Sequence, residues 1–216
     1  GAIRLHGDDI LQQSAAARRR LRGDKIAMIF QDALTGLSPA FTIGQQLADV
    51  FRHHRSMSRR AARSQAVEVL DLVRVPDSRR RLDQYPYELS GGLRQRVMIG
   101  LGVALQPDVL IADEPTTALD VTVQEQVLDL LQSLRDELGM SLVLITHDLG
   151  LVARYADDVA VMYAGRIVER GTVGELFAAS RHPYTVALRR AIPRPDVATA
   201  RLEYIAGHPP PLNALP

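Results

Sequence analysis

The chain has 216 residues, a formal net charge of +1, 46% hydrophobic residues and a mean hydropathy of −0.04, the profile of a globular protein and not of a disordered one. No apolar run approaches the roughly 18 residues that a bilayer crossing requires. The absence of cysteine excludes disulfides and thiolate metal sites, and the near-neutral charge argues against a nucleic-acid partner.

The opening "GAIRLHGDDI" has neither the basic start nor the apolar centre of a secretory leader. "AIRLHG" alternates as a short strand does, and "KIAMIFQ" is a compact apolar run ending at the polar Gln31. From Asp32 to Leu105 the texture turns Arg- and Ala-rich and helical, as a separate lobe would be. Over Arg59–Val75 one face carries Ala62, Ala66, Val69, Leu70 and Val73, and Pro76 ends the helix. All but one of the basic residues are arginine, clustered at Arg18–Arg20, Arg59–Arg63 and Arg79–Arg81. Such clusters read first as solvated helix faces and second as a contact for a polyanion or partner.

"DVLIADEP" follows, with Val109–Ala112 continuously apolar, as expected of a strand buried on both faces. Val123, Val127, Leu130, Leu131, Leu134 and Leu138 then mark a long amphipathic helix closed by Gly139, and "SLVLITHD" repeats the buried-strand pattern. Strand, helix and strand in this order make a βαβ unit, so the two strands are parallel and end on one edge, where open α/β sheets bind ligands. "DVAVMYAGRIVERG" reads as a hairpin turning at Ala164-Gly165, and Thr172 with Glu175 forms a capping box for the next helix. Beyond Ser180, "HPYTVALRRAIPRP" and "GHPPPLNALP" read as a proline-rich appendage and not as core. The expected divisions are 1–31, the remainder of an N-terminal core; 32–105, a helical subdomain; 106–180, a parallel-sheet core; and 181–216, the start of a C-terminal extension.

Three features carry chemistry. Asp113 and Glu114 end the first buried strand at the ligand edge, and burying such a pair without a counter-charge costs several kcal/mol. Mg²⁺ suits them, since it takes one or two carboxylates together with phosphate oxygens. His147 ends the second strand on the same edge, a candidate phosphate sensor. "LSGGLRQRVMIG" puts Ser90, Gly91 and Gly92 where a helix begins. Unpaired N–H groups, a hydroxyl and the lack of Cβ atoms suit a phosphate there. Gln31 could offer an amide oxygen to a metal or to water.

In this combination the chain resembles the nucleotide-binding subunits of ABC transporters: Gln31 matches the Q-loop, Leu89–Arg96 the signature motif, Val109–Glu114 the Walker B strand, Ala118-Leu119-Asp120 the D-loop and His147 the switch histidine. "FQDALTGLSPAFTIGQQL", "ADEPTTALDVTVQ", "LITHDLGLVA", "VMYAGRIVERG" and "HPYTVALRRAIP" resemble more narrowly the ATPases of oligopeptide/dipeptide and nickel importers. Ala33 and Ser38 depart from that family's common Pro and Asn.

The resemblance implies a P-loop NTPase-like α/β fold, with a parallel-sheet core and an inserted helical subdomain. It implies ATP and Mg²⁺ as cofactors. ATP would lie between two such domains, with Ser90, Gly91, Gly92, Gln95 and Asp120 of one completing the site of the other. Glu114 would polarise the attacking water, Asp113 and Gln31 would serve Mg²⁺, and His147 would meet the γ-phosphate. Implied partners are a second ATPase subunit, transmembrane permease subunits and, indirectly, an extracytoplasmic solute-binding protein, at the cytoplasmic face of the membrane.

One part of that family's inventory does not occur in these residues. No Gly-rich loop ends in Gly-Lys-Ser/Thr, and Lys25 lies outside any such loop. Losing three or four charge-assisted hydrogen bonds removes about 5 kcal/mol or more, a factor of thousands in affinity. The chain alone is therefore expected neither to bind ATP usefully nor to hydrolyse it, as a fragment of an importer ATPase. A nucleotide-incompetent module that lends its signature motif to a partner is the alternative. ABC-type ATPases of DNA maintenance carry long coiled coils, and no sustained heptads occur here.

Overall fold

A computed structural model describes residues 1–31, 36–117 and 119–191. The chain divides into two compact units, one ending at Ile145 and one starting at Thr146.

The first unit opens with β1 (Arg4–Leu5) and β2 (Asp8–Asp9), antiparallel about the His6-Gly7 turn. Helix α1 (Ala15–Leu21), capped by the Ser14 hydroxyl, leads to β3 (Ile26–Ile29). The helical lobe follows: α2 (Ile43–Arg55) behind a Thr42/Gln45 capping box, α3 (Arg59–Leu72) capped by Ser58, the short α4 (Ser78–Arg81), a 3₁₀ turn at Pro86–Glu88, and α5 (Gly91–Val103). The expected face of α3 is buried as a stripe, and the helix stops at Leu72. Its last turn closes with Arg74 in the left-handed region, ahead of Pro76.

Strand β4 (Val109–Asp113) pairs parallel with β3 on one side and with β5 (Ser141–Ile145) on the other, and α6 (Val121–Leu138) makes the crossover from β4 to β5. Ala27, Ile29, Leu110 and Ala112 are buried on one face, where Gly102 of α5 comes close to Ile29 and Leu110. The opposite face differs from the expectation of strands buried on both sides. Met28, Ile111 and Val143 stand in register across the three strands, and Met28 and Val143 are 40% and 46% exposed, with Ile145 at 45%. The physical reason is that α5 packs on the other face, at Ile29 and Leu110. Among the described residues β3 and β5 are the two edges of this three-stranded sheet.

The second unit starts with α7 (Leu149–Tyr155), capped by Asp148. Strands β6 (Asp158–Tyr163) and β7 (Arg166–Thr172) form the expected hairpin, with Ala164 and Gly165 both at positive φ. Thr172 and Glu175 cap α8 (Val173–Ala179). The segment read as a loose appendage begins instead with a packed helix, α9 (Pro183–Arg190): Thr185 is fully buried and the Tyr184 ring meets Tyr163. Its N-terminus is held by Glu169, whose two carboxylate oxygens accept from the backbone N–H of Arg181 and His182. Proline at its first position marks a helix start, a signal outweighed in the sequence by the prolines further on. The tail "GHPPPLNALP", with Ala33 and Ala118, lies outside the described residues.

Candidate functional site

Two clusters form at the C-terminal edge of β4 and along the turn that leaves it. The first surrounds Glu114. Directly after the strand its φ is +44°, a left-handed conformation that costs a non-glycine residue about 1–2 kcal/mol. Its N–H donates to the Ile145 carbonyl at 2.9 Å, so the last rung of the β4–β5 pair holds the bend. The side chain leaves the line of the strand, and Glu114 Oε2 accepts from Gln31 Nε2 at 2.7 Å and from Thr117 Oγ1 at 2.9 Å. Asp113, half-buried, ends β4 opposite Ile145. Gln31, two residues past β3, is thus joined to the β4 edge across 83 residues of sequence.

The second cluster is built where two helices begin. Ser90 caps α5, its Oγ accepting from the Leu93 N–H at 3.4 Å, and Asp120 caps α6, its Oδ1 accepting from the Val123 N–H at 3.0 Å. These N-termini adjoin. A Cβ on Gly92 would stand 2.9 Å from Val123 Cγ1, too close for any real contact, whereas one on Gly91 would meet only Leu119 Cδ2 at an ordinary 3.8 Å. Gly92 therefore has a packing reason to be glycine besides access for an anion, and Gly91 has none. The turn from Glu114 to Asp120 links the clusters through Thr117 N–H to Glu114 O and Leu119 N–H to Thr116 O.

Gln95 does not join Ser90 at the surface. It is 3% exposed, on the inner side of α5, and among the described residues its Nε2 has no hydrogen-bond partner. A direct nucleotide contact does not fit a side chain so enclosed. Arg96 likewise faces protein: it donates to the Val73 carbonyl and to Gln126, tying α5 to the end of α3 and to α6. Burial and the neighbouring Arg74 guanidinium lower its pKa from the usual arginine value. His147, in the second unit, is exposed and lies two residues beyond β5.

Thr117 escaped the sequence reading. Its signal was a hydroxyl three residues after Glu114, the spacing of a local side-chain turn. At the opposite end of β4, Asp108 Oδ2 is 2.9 Å from His6 Nε2 and Oδ1 is 3.3 Å from Lys25 Nζ. The hydrogen bond from His6 holds the Asp108 carboxyl below its ordinary value; burial opposes it, and the Lys25 contact adds a smaller lowering.

The donor set fits Mg²⁺, because an aspartate oxygen and a glutamine amide oxygen are hard ligands of the kind it takes alongside substrate phosphates. The Gln31 amide gives its nitrogen to Glu114, which leaves its oxygen as the atom for a metal. The same residues lack the cradle of backbone N–H groups that grips a triphosphate.

A family model described as "ABC transporter" matches residues 1–117, and one described as "Oligopeptide/dipeptide transporter, C-terminal region" matches residues 168–216. A Brucella abortus protein named as a peptide import ATP-binding protein is 50% identical over 210 residues, which cover 97% of this chain and 63% of that protein. A Brucella melitensis protein named in the same way is 50% identical over 227 residues, covering all of this chain and 67% of its own length. The chain thus spans less than two thirds of the first of these relatives. Among solved structures, a dimeric bacterial ABC transporter cassette is similar with a TM-score of 0.69 and 28% identity, over 80% of this chain and 73% of that one. A dimeric ATP-binding cassette in a post-hydrolysis state with ADP and Pi is similar with a TM-score of 0.67 and 28% identity, over 78% and 72%.

Proposed function

The chain belongs to the ABC transporter family, and from that premise we propose that it is the larger part of an ATPase subunit that drives peptide import. Its fold is the P-loop NTPase-like α/β core of that family with an inserted helical subdomain. The observation that carries the reading is the pairing of Gln31 with Glu114 at the end of β4, beside the two adjoining helix N-termini.

In this proposal Glu114 orients and polarises a water for attack on the γ-phosphate, and Thr117 fixes the carboxylate that does so. Bound Mg²⁺ would neutralise phosphate charge, with Asp113 and the Gln31 oxygen to hold it. Gln31 gives up its hydrogen bond to Glu114 when its amide turns, which couples the site to the helical lobe that follows it in sequence. Ser90 and the N–H groups of Gly91 and Gly92 offer an anion-binding end to the nucleotide of a second subunit, and Asp120 holds the neighbouring helix in place. Gln95 serves that end from within, as packing beneath the first turn of α5. His147 is assigned to the γ-phosphate. Positioning and charge stabilisation are what phosphoryl transfer requires, and these groups supply both.

The phosphate-binding loop is not among the 216 residues, so this chain alone is inactive in our proposal. Partners are a second ATPase subunit and permease subunits, at the cytoplasmic face of the membrane. Among the described residues no helix is long and apolar enough to cross a bilayer. In this proposal the subunit divides functionally into 1–31, 32–105, 106–180 and 181–216. A second reading, a module that lends only its signature motif, is favoured by one fact: the capped N-terminus of α5 is complete without the phosphate loop.

The test is ATP hydrolysis by the complete subunit with its permease and binding protein in vesicles. Stimulation by di- or oligopeptides supports the reading. Stimulation by nickel alone moves it to the metal-importing branch, and hydrolysis only by a partner ATPase moves it to the signature-lending module.

A further inference from the structure

The catalytic reading makes no use of the arginines gathered where α1 meets the turn between α2 and α3. The end of α1 brings Arg18, Arg19, Arg20 and Arg22, and the α2–α3 corner brings Arg52, Arg55, Arg59 and Arg60. The two segments touch. Asp24 Oδ1 lies 2.6 Å from Arg55 Nη2, and a Cβ on Gly23 would stand 3.4 Å from the His54 ring. Residues 18–24 and 49–60 hold these eight arginines against two aspartates, Asp24 and Asp49, a formal +6. The whole chain carries +1, so the remainder carries −5, and the excess positive charge lies on these two touching segments.

Helix energetics account for only part of this. Basic residues in the last turns of α1 and α2 complement the negative ends of those helices. Arg59 and Arg60 do the reverse: they occupy the first turn of α3, at its positive end, where no acidic residue offsets them. Apart from Arg18, which is half-buried, these arginines are exposed. An arrangement that opposes local stability and gathers charge in solvent fits an external anion.

We propose that this surface docks on an anionic phospholipid bilayer. Arginines dispersed over two helix ends match an extended plane of negative headgroups, which attracts basic residues without fixed geometry. Nucleic acid suits the surface less well, since the one Phe, Tyr or Trp in these segments, Phe51, is buried and offers no ring to a base. The proposal rests on the importer reading for the choice of a membrane as the occupant. Docking would hold the subunit against the bilayer independently of its contact with a permease.

The test is flotation of the 216-residue chain with vesicles of phosphatidylcholine alone or with about 30% phosphatidylglycerol, at ~0.1 M salt. Binding is expected only to the anionic vesicles. It should weaken at least about tenfold when Arg18, Arg19, Arg20, Arg59 and Arg60 are all changed to Gln, and persist in the Arg79→Gln/Arg80→Gln variant. Circular dichroism on each variant checks that helicity is kept. No flotation with anionic vesicles overturns the proposal. So does an equal loss in the Arg79/Arg80 variant, or tighter binding of a homopolymeric RNA by the same arginines. Peptide-stimulated hydrolysis by the complete subunit is measured separately, so failure to float with that activity present removes the docking surface and leaves the importer reading intact.

Discussion

The helical lobe and the parallel sheet solve burial differently. In the lobe, Ile43, Leu47 and Phe51 of α2 and Ala62, Ala66 and Leu70 of α3 are buried on facing stripes, and Val97 and Ile99 of α5 are buried with them. The sheet buries Leu110 and Ala112 on one side but leaves the Met28–Ile111–Val143 row half open on the other, with one edge of β5 unpaired among the described residues. The lobe packs helix on helix, and its α5 also covers one face of the sheet, whose other face stays half open. The Glu114 cluster belongs to the sheet and the Ser90 cluster to the lobe, and the Glu114–Asp120 turn joins them.

The sharpest way to separate the two clusters is chemical. In the complete subunit, Glu114→Gln is expected to lower ATP hydrolysis by about 100-fold or more while nucleotide stays bound. Normal hydrolysis in that variant would remove Glu114 as the base. Thr117→Val should lower hydrolysis less, with little change in KM, because it loosens the carboxylate without removing it.

Stability separates the two faces of the sheet. Leu110→Ala empties a fully buried site and should cost about 2–5 kcal/mol in urea unfolding, while Val143→Ala on the open face should cost less than about 1 kcal/mol. Equal losses would mean that the open face is covered in solution. At the junction, Gly92→Ala forces α5 from α6 and should cost about 1–3 kcal/mol, but Gly91→Ala should stay within about 0.5 kcal/mol. Any defect that Gly91→Ala produces in ATP turnover then reports on access of the phosphate.

The smallest effect is one of pH. Because the folded Asp108 carboxyl is held below its unfolded value, its contribution to stability is present above the unfolded value and is lost as pH falls through the folded one. Asp108→Asn should lower stability slightly near neutrality and leave it unchanged at the acid end, which flattens stability against pH in that range, as measured by urea midpoints.

Much of this was legible in the sequence because the signals were periodic or local. The α3 stripe, the β4–α6–β5 unit, the Ala164-Gly165 hairpin and the Thr172/Glu175 box each depend on residues close together in the chain. The unburied face of β4 and β5 was not legible, since a continuous apolar run records that both faces are apolar and not whether each has a cover. Within the motif, Gln95 looked like surface chemistry because sequence does not tell which side of α5 faces the core. The junction of Gly92 with Val123 joins residues 31 apart and needed the fold to be seen.

The central claim is that these residues supply the catalytic carboxylate and the signature helix but not the grip on the triphosphate. Calorimetry of Mg-ATP binding tests it on the 216-residue chain and on the same chain joined to a Gly-Lys-Ser/Thr phosphate loop in the complete subunit. The account predicts binding by the complete subunit and none measurable by the chain alone. Tight binding and turnover by the chain alone would contradict it.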